Sequence, residues 1–313
     1  MKKVWWKVFL SCLAVVLLAS CSGENTQEKV ASNETQQQEG AFTGIYIVQP
    51  SYVKEHISDE NMILVDARGE ETARKGTING AVATNWQYLS NVEDAPKGDY
   101  AWGLILPTEE LDKRLGEVGL SKDKEIVLFA DGAKGWGDDG RILWTLRAAG
   151  YNKLKMVDGG FKGLQNAGLE TTREPKKLEP VEVSIEEVKK DHVIDTEELE
   201  KTIDDYKVVD VRADEEYEGA ILYGEAKGGR IPGAIHLKFT DLFNNKGYLK
   251  TNEELTAFFE AAGLQKTDKI VTYCTSGIRS AYAQLVMEML GFETSKNYDG
   301  SYNTWCVHNP VEK

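Results

Sequence analysis

The sequence predicts an α/β protein of two tandem domains, each a mainly parallel sheet with helices on both faces. Three observations predict it. Four blocks occur twice in the same order: Leu64-Val65-Asp66-Ala67-Arg68 is matched by Val208-Val209-Asp210-Val211-Arg212, and Gly76-Thr77-Ile78-Asn79-Gly80-Ala81 by Gly229-Arg230-Ile231-Pro232-Gly233-Ala234. Glu125-Ile126-Val127-Leu128-Phe129-Ala130 is matched by Lys269-Ile270-Val271-Thr272-Tyr273-Cys274, and Val157-Asp158-Gly159-Gly160-Phe161 by Tyr298-Asp299-Gly300-Ser301-Tyr302. Two copies of this length mean paired domains rather than a solenoid. Short apolar runs alternate with helical ones, the pattern of a parallel sheet covered by helices. Residues 170–180 carry Thr171, Thr172, Pro175, Lys176, Lys177 and Pro180 without apolar periodicity, which places a linker between the copies.

In chain order, Lys2, Lys3 and Lys7 precede an almost wholly apolar stretch, residues 8–18. That stretch is short for a membrane span and reads as part of a signal peptide, residues 1–20. Leu18-Ala19-Ser20-Cys21 resembles the lipobox of bacterial lipoproteins. The resemblance implies cleavage before Cys21 and lipidation of its sulfur. Two or more acyl chains anchor durably, so the mature chain is expected outside the cytoplasm, lipid-anchored to a bacterial membrane. Residues 21–41 are rich in Ser, Asn, Glu, Gln and Thr and bury too little to offset chain entropy; they read as a disordered tether. The first copy then spans 42–172, the linker 173–182 and the second copy 183–313. In the second copy, 206–210 and 269–273 read as strands, and 252–262 and 280–290 as helices. Glu253 and Glu254 fall in the first turn of 252–262, where the helix dipole favours acids.

Charge excludes some classes of partner. The chain has 51 acidic and 37 basic residues, a formal net charge of −14. Such a chain is a poor ligand for nucleic acid or for an anionic lipid surface, so membrane contact is expected through the anchor alone. His56, His192, His236 and His308 are scattered without ligand spacing, and no metal is expected. Asp131-Gly132-Ala133-Lys134-Gly135 lacks the pattern of a phosphate-binding loop, and no cofactor is expected. Of four cysteines, Cys12 and Cys21 belong to the leader, which leaves Cys274 and Cys306. Cys306 reads as a bystander, with redox pairing to Cys274 open until their separation is known.

Chemistry concentrates in Cys274-Thr275-Ser276-Gly277-Ile278-Arg279. Cys274 falls at the carboxyl end of a buried strand, where ligands bind in open α/β sheets. It faces the amides of a helix start, which favour a thiolate over a thiol. Gly277 permits curvature that turns successive amides toward one anion, and Arg279 closes the loop with a permanent cation. This suits a nucleophilic sulfur that carries a transferable group. In the first copy Ala130 replaces the cysteine, so that copy cannot carry sulfur. It reads as half of a substrate cleft, with Trp136 or Arg141 facing the site, or as a brace.

Together these residues resemble the tandem-domain rhodaneses, the thiosulfate and 3-mercaptopyruvate sulfurtransferases. The likeness spans roughly 44–305 and includes Asp210-Val211-Arg212, Arg230-Ile231-Pro232-Gly233-Ala234, the cysteine loop and Asp299-Gly300-Ser301-Tyr302-Asn303-Thr304-Trp305. It implies two rhodanese-like domains, the first degenerate and the second catalytic. It further implies a Cys274 persulfide loaded by a small-molecule sulfur donor and discharged to cyanide or a thiol. Thr275, Ser276, Gly277 and Ile278 would form the loop that holds the persulfide, with Arg279 gripping the donor or locking the loop. Phosphatases on this fold place five residues between cysteine and arginine; here four intervene, which argues against phosphoryl chemistry. Mercaptopyruvate enzymes carry a second arginine where this chain has Glu216, which favours thiosulfate as donor. Glu216 itself reads as a helix-start residue. Asp210 is expected to fix the strand-end turn, and Arg212 to pair with an acid beneath the loop or touch substrate. Arg230 is a candidate for the cleft and Trp305 for its wall. The alternative class is a non-enzymatic envelope lipoprotein that binds a partner or senses persulfides on this scaffold.

Overall fold

The computed structural model describes residues 40–313; the leader, the Cys21 lipidation site and nearly all of the expected tether lie outside the described residues. Twelve strands are β1 (Ile47–Val48), β2 (Met62–Asp66), β3 (Thr77–Ile78), β4 (Val82–Ala83), β5 (Glu125–Phe129), β6 (Leu154–Val157), β7 (Thr171–Thr172), β8 (Val193–Ile194), β9 (Lys207–Asp210), β10 (Ile235–His236), β11 (Lys269–Tyr273) and β12 (Thr294–Tyr298). The first sheet runs β1-β6-β5-β2-β4 and the second β8-β12-β11-β9-β10, and every pairing in both is parallel. The two orders are the same when the copies are superposed in sequence. The duplication is therefore a duplication of topology.

The central strands β5 and β11 are apolar runs because helices cover both of their faces. Ile126, Val127, Leu128 and Phe129 are fully buried, as are Ile270, Val271 and Tyr273. The helix Asn252–Ala261 starts where expected, with Thr251 and Glu254 satisfying each other's backbone amides in a capping box. The helix after the cysteine loop is Ile278–Met289, two residues earlier than its apolar pattern indicates, because Gly277 in the left-handed region (φ 78°) begins it.

The copies meet through equivalent parts. The helix Asp138–Ala148 of the first packs on Ile278–Met289 of the second. A Cβ at Gly140 would lie 2.6 Å from the Tyr282 ring, so glycine permits this approach. Each copy also reaches into the other's Asp-Gly turn: the Leu249 amide donates to Asp158 (2.8 Å), and the Ile105 amide donates to Asp299 (2.9 Å). These exchanged bonds hold the two sheets in a fixed relation.

Thr171–Thr172 pairs antiparallel with Thr77–Ile78 and so belongs to the first copy. Beyond it the chain stays on that copy: the Val181 amide donates to the Gly116 carbonyl (3.0 Å), Ile185 is buried, and the Lys189 amide donates to the Ala148 carbonyl (2.8 Å). The second sheet opens only at Val193.

Candidate active site

Cys274 directly follows β11 and is 1 % exposed. Its backbone is clamped by the first turn of the helix Ser301–His308. The Cys274 amide donates to Ser301 Oγ (3.1 Å), and the amides of Tyr302 and Asn303 donate to the carbonyls of Cys274 and Thr275 (both 3.0 Å). Asn303 Nδ2 donates to Ser276 Oγ (2.8 Å). Ser301 is the one non-glycine residue with positive φ (52°) among the described residues, a conformation that costs energy and persists because this clamp over-determines it. Gly277 is required on two counts. Its φ is positive, and a Cβ there would lie 2.9 Å from both Arg141 Nη1 and the Asp299 carbonyl oxygen. The Gly277 carbonyl in turn accepts from Arg141 Nη1 and Asn297 Nδ2 (each 3.3 Å). Arg141 therefore reaches from the first copy to brace the loop, held by an ion pair to Asp299 (2.7 Å) with both side chains buried.

Arg279 is committed within the protein. Its Nη1 and Nη2 donate to the two oxygens of Glu216 (2.7 and 2.8 Å), and Nη2 also donates to Thr275 Oγ1 (2.9 Å). Thr275 Oγ1 donates to Glu216 (2.5 Å), and the Ala213 amide donates to the same carboxylate (3.1 Å). Burial pushes the Glu216 carboxyl up, but Arg279 and Thr275 outweigh it and hold it below its ordinary value. Glu216 is thus the buried counter-ion of Arg279, more than a residue suited to a helix start. Burial likewise pushes the Cys274 thiol up; the charge of Arg279 and hydrogen bonds from the Ser280 and Ser276 amides outweigh it, and the thiol sits below its ordinary value. A thiolate at a strand end, among amides and beside one cation, is a prepared nucleophile.

Cys274 opens on a cavity of about 230 Å³ lined by both copies. Trp86, Gln87 and Trp136 come from the first, and Tyr223 joins Cys274, Thr275, Ser276, Ile278 and Arg279 from the second. The Trp136 ring stands edge-on to Tyr223 (5.3 Å between centroids) and lies 4.9 Å from the Arg279 guanidinium carbon. Trp136 faces the site as half of a cleft, and Arg141 braces it from behind.

Three sequence-based candidates are corrected. Arg212 is 1 % exposed, chelates Asp210 (Nη2–Oδ2 2.7 Å), donates to the Gly229 carbonyl (2.7 Å) and lies over the Tyr302 ring. Its expected pairing beneath the loop is present, and its guanidinium has no part in the cavity beside Cys274. Arg230 pairs with Glu312 near the carboxyl terminus and stacks on Tyr217, away from that cavity. Trp305 is buried in the core of the second copy, with Nε1 donating to the Pro310 carbonyl (2.9 Å), and does not line it either. Cys274 and Cys306 are both free thiols, and Cys306 Sγ faces the Asn303 carbonyl.

Trp86 and Tyr223 were not singled out by sequence. The signal available for Tyr223 was length: Arg212 bonds a carbonyl 17 residues on, whereas Arg68 bonds the equivalent carbonyl 8 residues on. The extra residues of the second copy carry Ile221, Leu222 and Tyr223. Among the described residues no group of three or more His, Cys, Asp or Glu is arranged to hold a metal ion.

A rhodanese-like domain matches residues 49–167 and again residues 195–308. The chain belongs to the rhodanese family. A protein of Haloferax volcanii named "Putative thiosulfate sulfurtransferase" is 29 % identical over 244 residues, covering 75 % of this chain and 82 % of that protein. The 3-mercaptopyruvate sulfurtransferase SseA of Escherichia coli has the same fold, with a TM-score of 0.72 at 24 % identity over 82 % of this chain and 98 % of its own. The anaerobic ergothioneine biosynthesis enzyme of Chlorobium limicola also shares it, with a TM-score of 0.75 at 22 % identity over 85 % of this chain and 70 % of its own.

Proposed function

We propose that this rhodanese is a sulfurtransferase that moves the outer sulfur of thiosulfate to cyanide or a thiol through a persulfide on Cys274. The observation that carries the reading is the free Cys274 thiol at the floor of the two-copy cavity, held below its ordinary pKa by Arg279 and the loop amides. The Cys274 thiolate attacks the outer sulfur of thiosulfate; a new S–S bond forms, the sulfur–sulfite bond breaks, and sulfite leaves. Cyanide or a thiolate then attacks the outer sulfur of the persulfide, takes it as thiocyanate or a new persulfide, and returns the Cys274 thiolate. The loop amides of residues 275–279 hold the anionic sulfur in both states. Arg279 acts on the thiolate by its charge, and its outer nitrogens lock the loop through Glu216 and Thr275. The Glu216 carboxylate also stands where a mercaptopyruvate enzyme needs a cation, which favours thiosulfate.

Lipid attachment through Cys21, outside the cytoplasm, is the companion proposal and rests on the lipobox alone. Mass spectrometry of the membrane fraction tests it: a diacylated amino-terminal Cys21 supports the anchor, and an unprocessed soluble chain overturns it. The transfer reading is tested by steady-state kinetics with thiosulfate and cyanide varied together. Parallel double-reciprocal lines are expected for two displacements through a covalent intermediate. Intersecting lines, or no thiocyanate, contradict it.

A further inference from the structure

The cavity beside Cys274 has an unusual balance of charge and surface. Among the described residues Arg279 is the only cationic side chain that lines it, and the buried Glu216 carboxylate balances that charge through two hydrogen bonds. Whenever Cys274 is a thiolate or an ionised persulfide, the cavity then carries one net negative charge. Lys97, outside the lining, is tied to the Tyr223 carbonyl. The walls are three aromatic side chains, Trp86, Trp136 and Tyr223. Among the described residues seven large apolar side chains are exposed, and four of them, Trp136, Ile221, Leu222 and Tyr223, belong to this wall and its adjoining loop. Trp136 already lies beside one cation, Arg279, while remaining 45 % exposed. Aromatic faces around a site of net negative charge favour a positively charged group over a carboxylate or sulfonate. The net charge of −14 works in the same direction during approach.

We propose that the sulfur acceptor is a small thiol bearing a positively charged head group, selected by Trp86, Trp136 and Tyr223. The proposal rests on the sulfur-transfer reading for its chemistry. The acceptor thiolate attacks the outer sulfur of the Cys274 persulfide, forms the new S–S bond, and breaks the bond to Cys274 Sγ. Cys274 leaves as thiolate, and no net oxidation or reduction occurs. The cationic head sits against the aromatic wall during the attack.

Two measurements on the full chain test it separately from the sulfur chemistry. The first compares trimethylammonioethyl methanethiosulfonate with its anionic sulfonatoethyl counterpart on Cys274, read by peptide mass spectrometry. The expected result is a cation preference about tenfold above that of a small thiol in solution. In Trp136→Ala combined with Tyr223→Ala the preference falls at least about threefold, and Trp136→Phe alone retains most of it. Because net charge is the same in all variants, this isolates the rings. A preference equal to that in solution, or one unchanged in the double variant, overturns the proposal. The second loads the persulfide and discharges it with thiocholine or 3-mercaptopropionate, compared per thiolate. Faster discharge by thiocholine, lost in the double variant, supports the proposal, and equal rates overturn it. Charge selection at a Cys274 that never gains sulfur would sink the sulfur-transfer reading, and with it the acceptor, while leaving the cation preference of the wall intact.

Discussion

In the first copy Asp66 holds Arg68 over Phe161, and in the second Asp210 holds Arg212 over Tyr302, with the guanidinium carbon 4.0 Å from the ring centroid in both. Each arginine also donates to the carbonyl of a glycine, Gly76 or Gly229. This frame is common property and has nothing to do with chemistry. The loops above it differ. Cys274 is followed by residues 275–276 before the left-handed Gly277, whereas Ala130 is followed by residues 131–136 before the left-handed Gly137. Arg279, second in its helix, supplies the cation beside the sulfur. Asp139, second in the equivalent helix, is a buried acid whose carboxyl is pushed by burial up to about 7. One copy lost both the nucleophile and the sign of charge that prepares it. What it kept, Trp86, Trp136 and Arg141, serves the other copy's site.

The largest effect is expected at the sulfur. Cys274→Ser should lower thiosulfate-dependent thiocyanate formation by at least about 10⁴-fold. Adding Ala130→Cys to that variant should restore nothing, because the helix after that loop begins with Asp138 and Asp139 and has no counterpart of Arg279. Recovered turnover would show that the first loop retains competence.

Arg141 is the main charged link between the copies. Arg141→Ala leaves Asp299 buried without its ion pair and releases the Gly277 carbonyl. A loss of about 3–5 kcal/mol in urea-induced unfolding is expected, with transfer activity falling in the variant that remains folded. Unchanged stability and activity would mean that the two copies act independently.

A smaller effect of opposite sign is expected at Asp139. Its folded pKa lies above its unfolded one, so the folded state holds the proton more tightly. Stability is then highest below about pH 4 on this account and falls as pH rises toward about 7. Asp139→Asn should remove that slope and raise stability at pH 8 by roughly 1–3 kcal/mol, measured as unfolding midpoints at pH 5 and pH 8. A destabilised variant at pH 8 would contradict it. Least of all, Cys306→Ser should keep full transfer activity, since its sulfur faces the Asn303 carbonyl in the core. Loss of activity under oxidising conditions only in the parent chain would revive the Cys274–Cys306 pairing.

The fold was legible because its signals are local or repeated. β5 and β11 are mainly apolar runs, and the Asp-x-Arg pairs close over two residues. The cysteine loop was legible because helix start, glycine and arginine are adjacent. Glu216 does sit at a helix start, but its second role was not legible because its partner Arg279 lies 63 residues away, and no local pattern links a helix-start acid to a distant guanidinium. Trp305 was misplaced because its helix is buried around nearly its whole girth from Ser301 to Cys306, so its sequence shows no solvent face to orient it. Arg230 was placed by its neighbours Ile231-Pro232, while the residue that captures it, Glu312, is at the far end of the chain. Tertiary pairing decided all three.

The central claim is that sulfur is carried by the second copy alone, on Cys274. The most direct test treats reduced full chain with thiosulfate, measures intact mass, and locates the added sulfur by peptide mass spectrometry before and after cyanide. The account predicts a gain of about 32 Da confined to the peptide of Cys274, absent in Cys274→Ser and removed by cyanide as thiocyanate. A gain on another cysteine, or none on an accessible reduced Cys274, would contradict it.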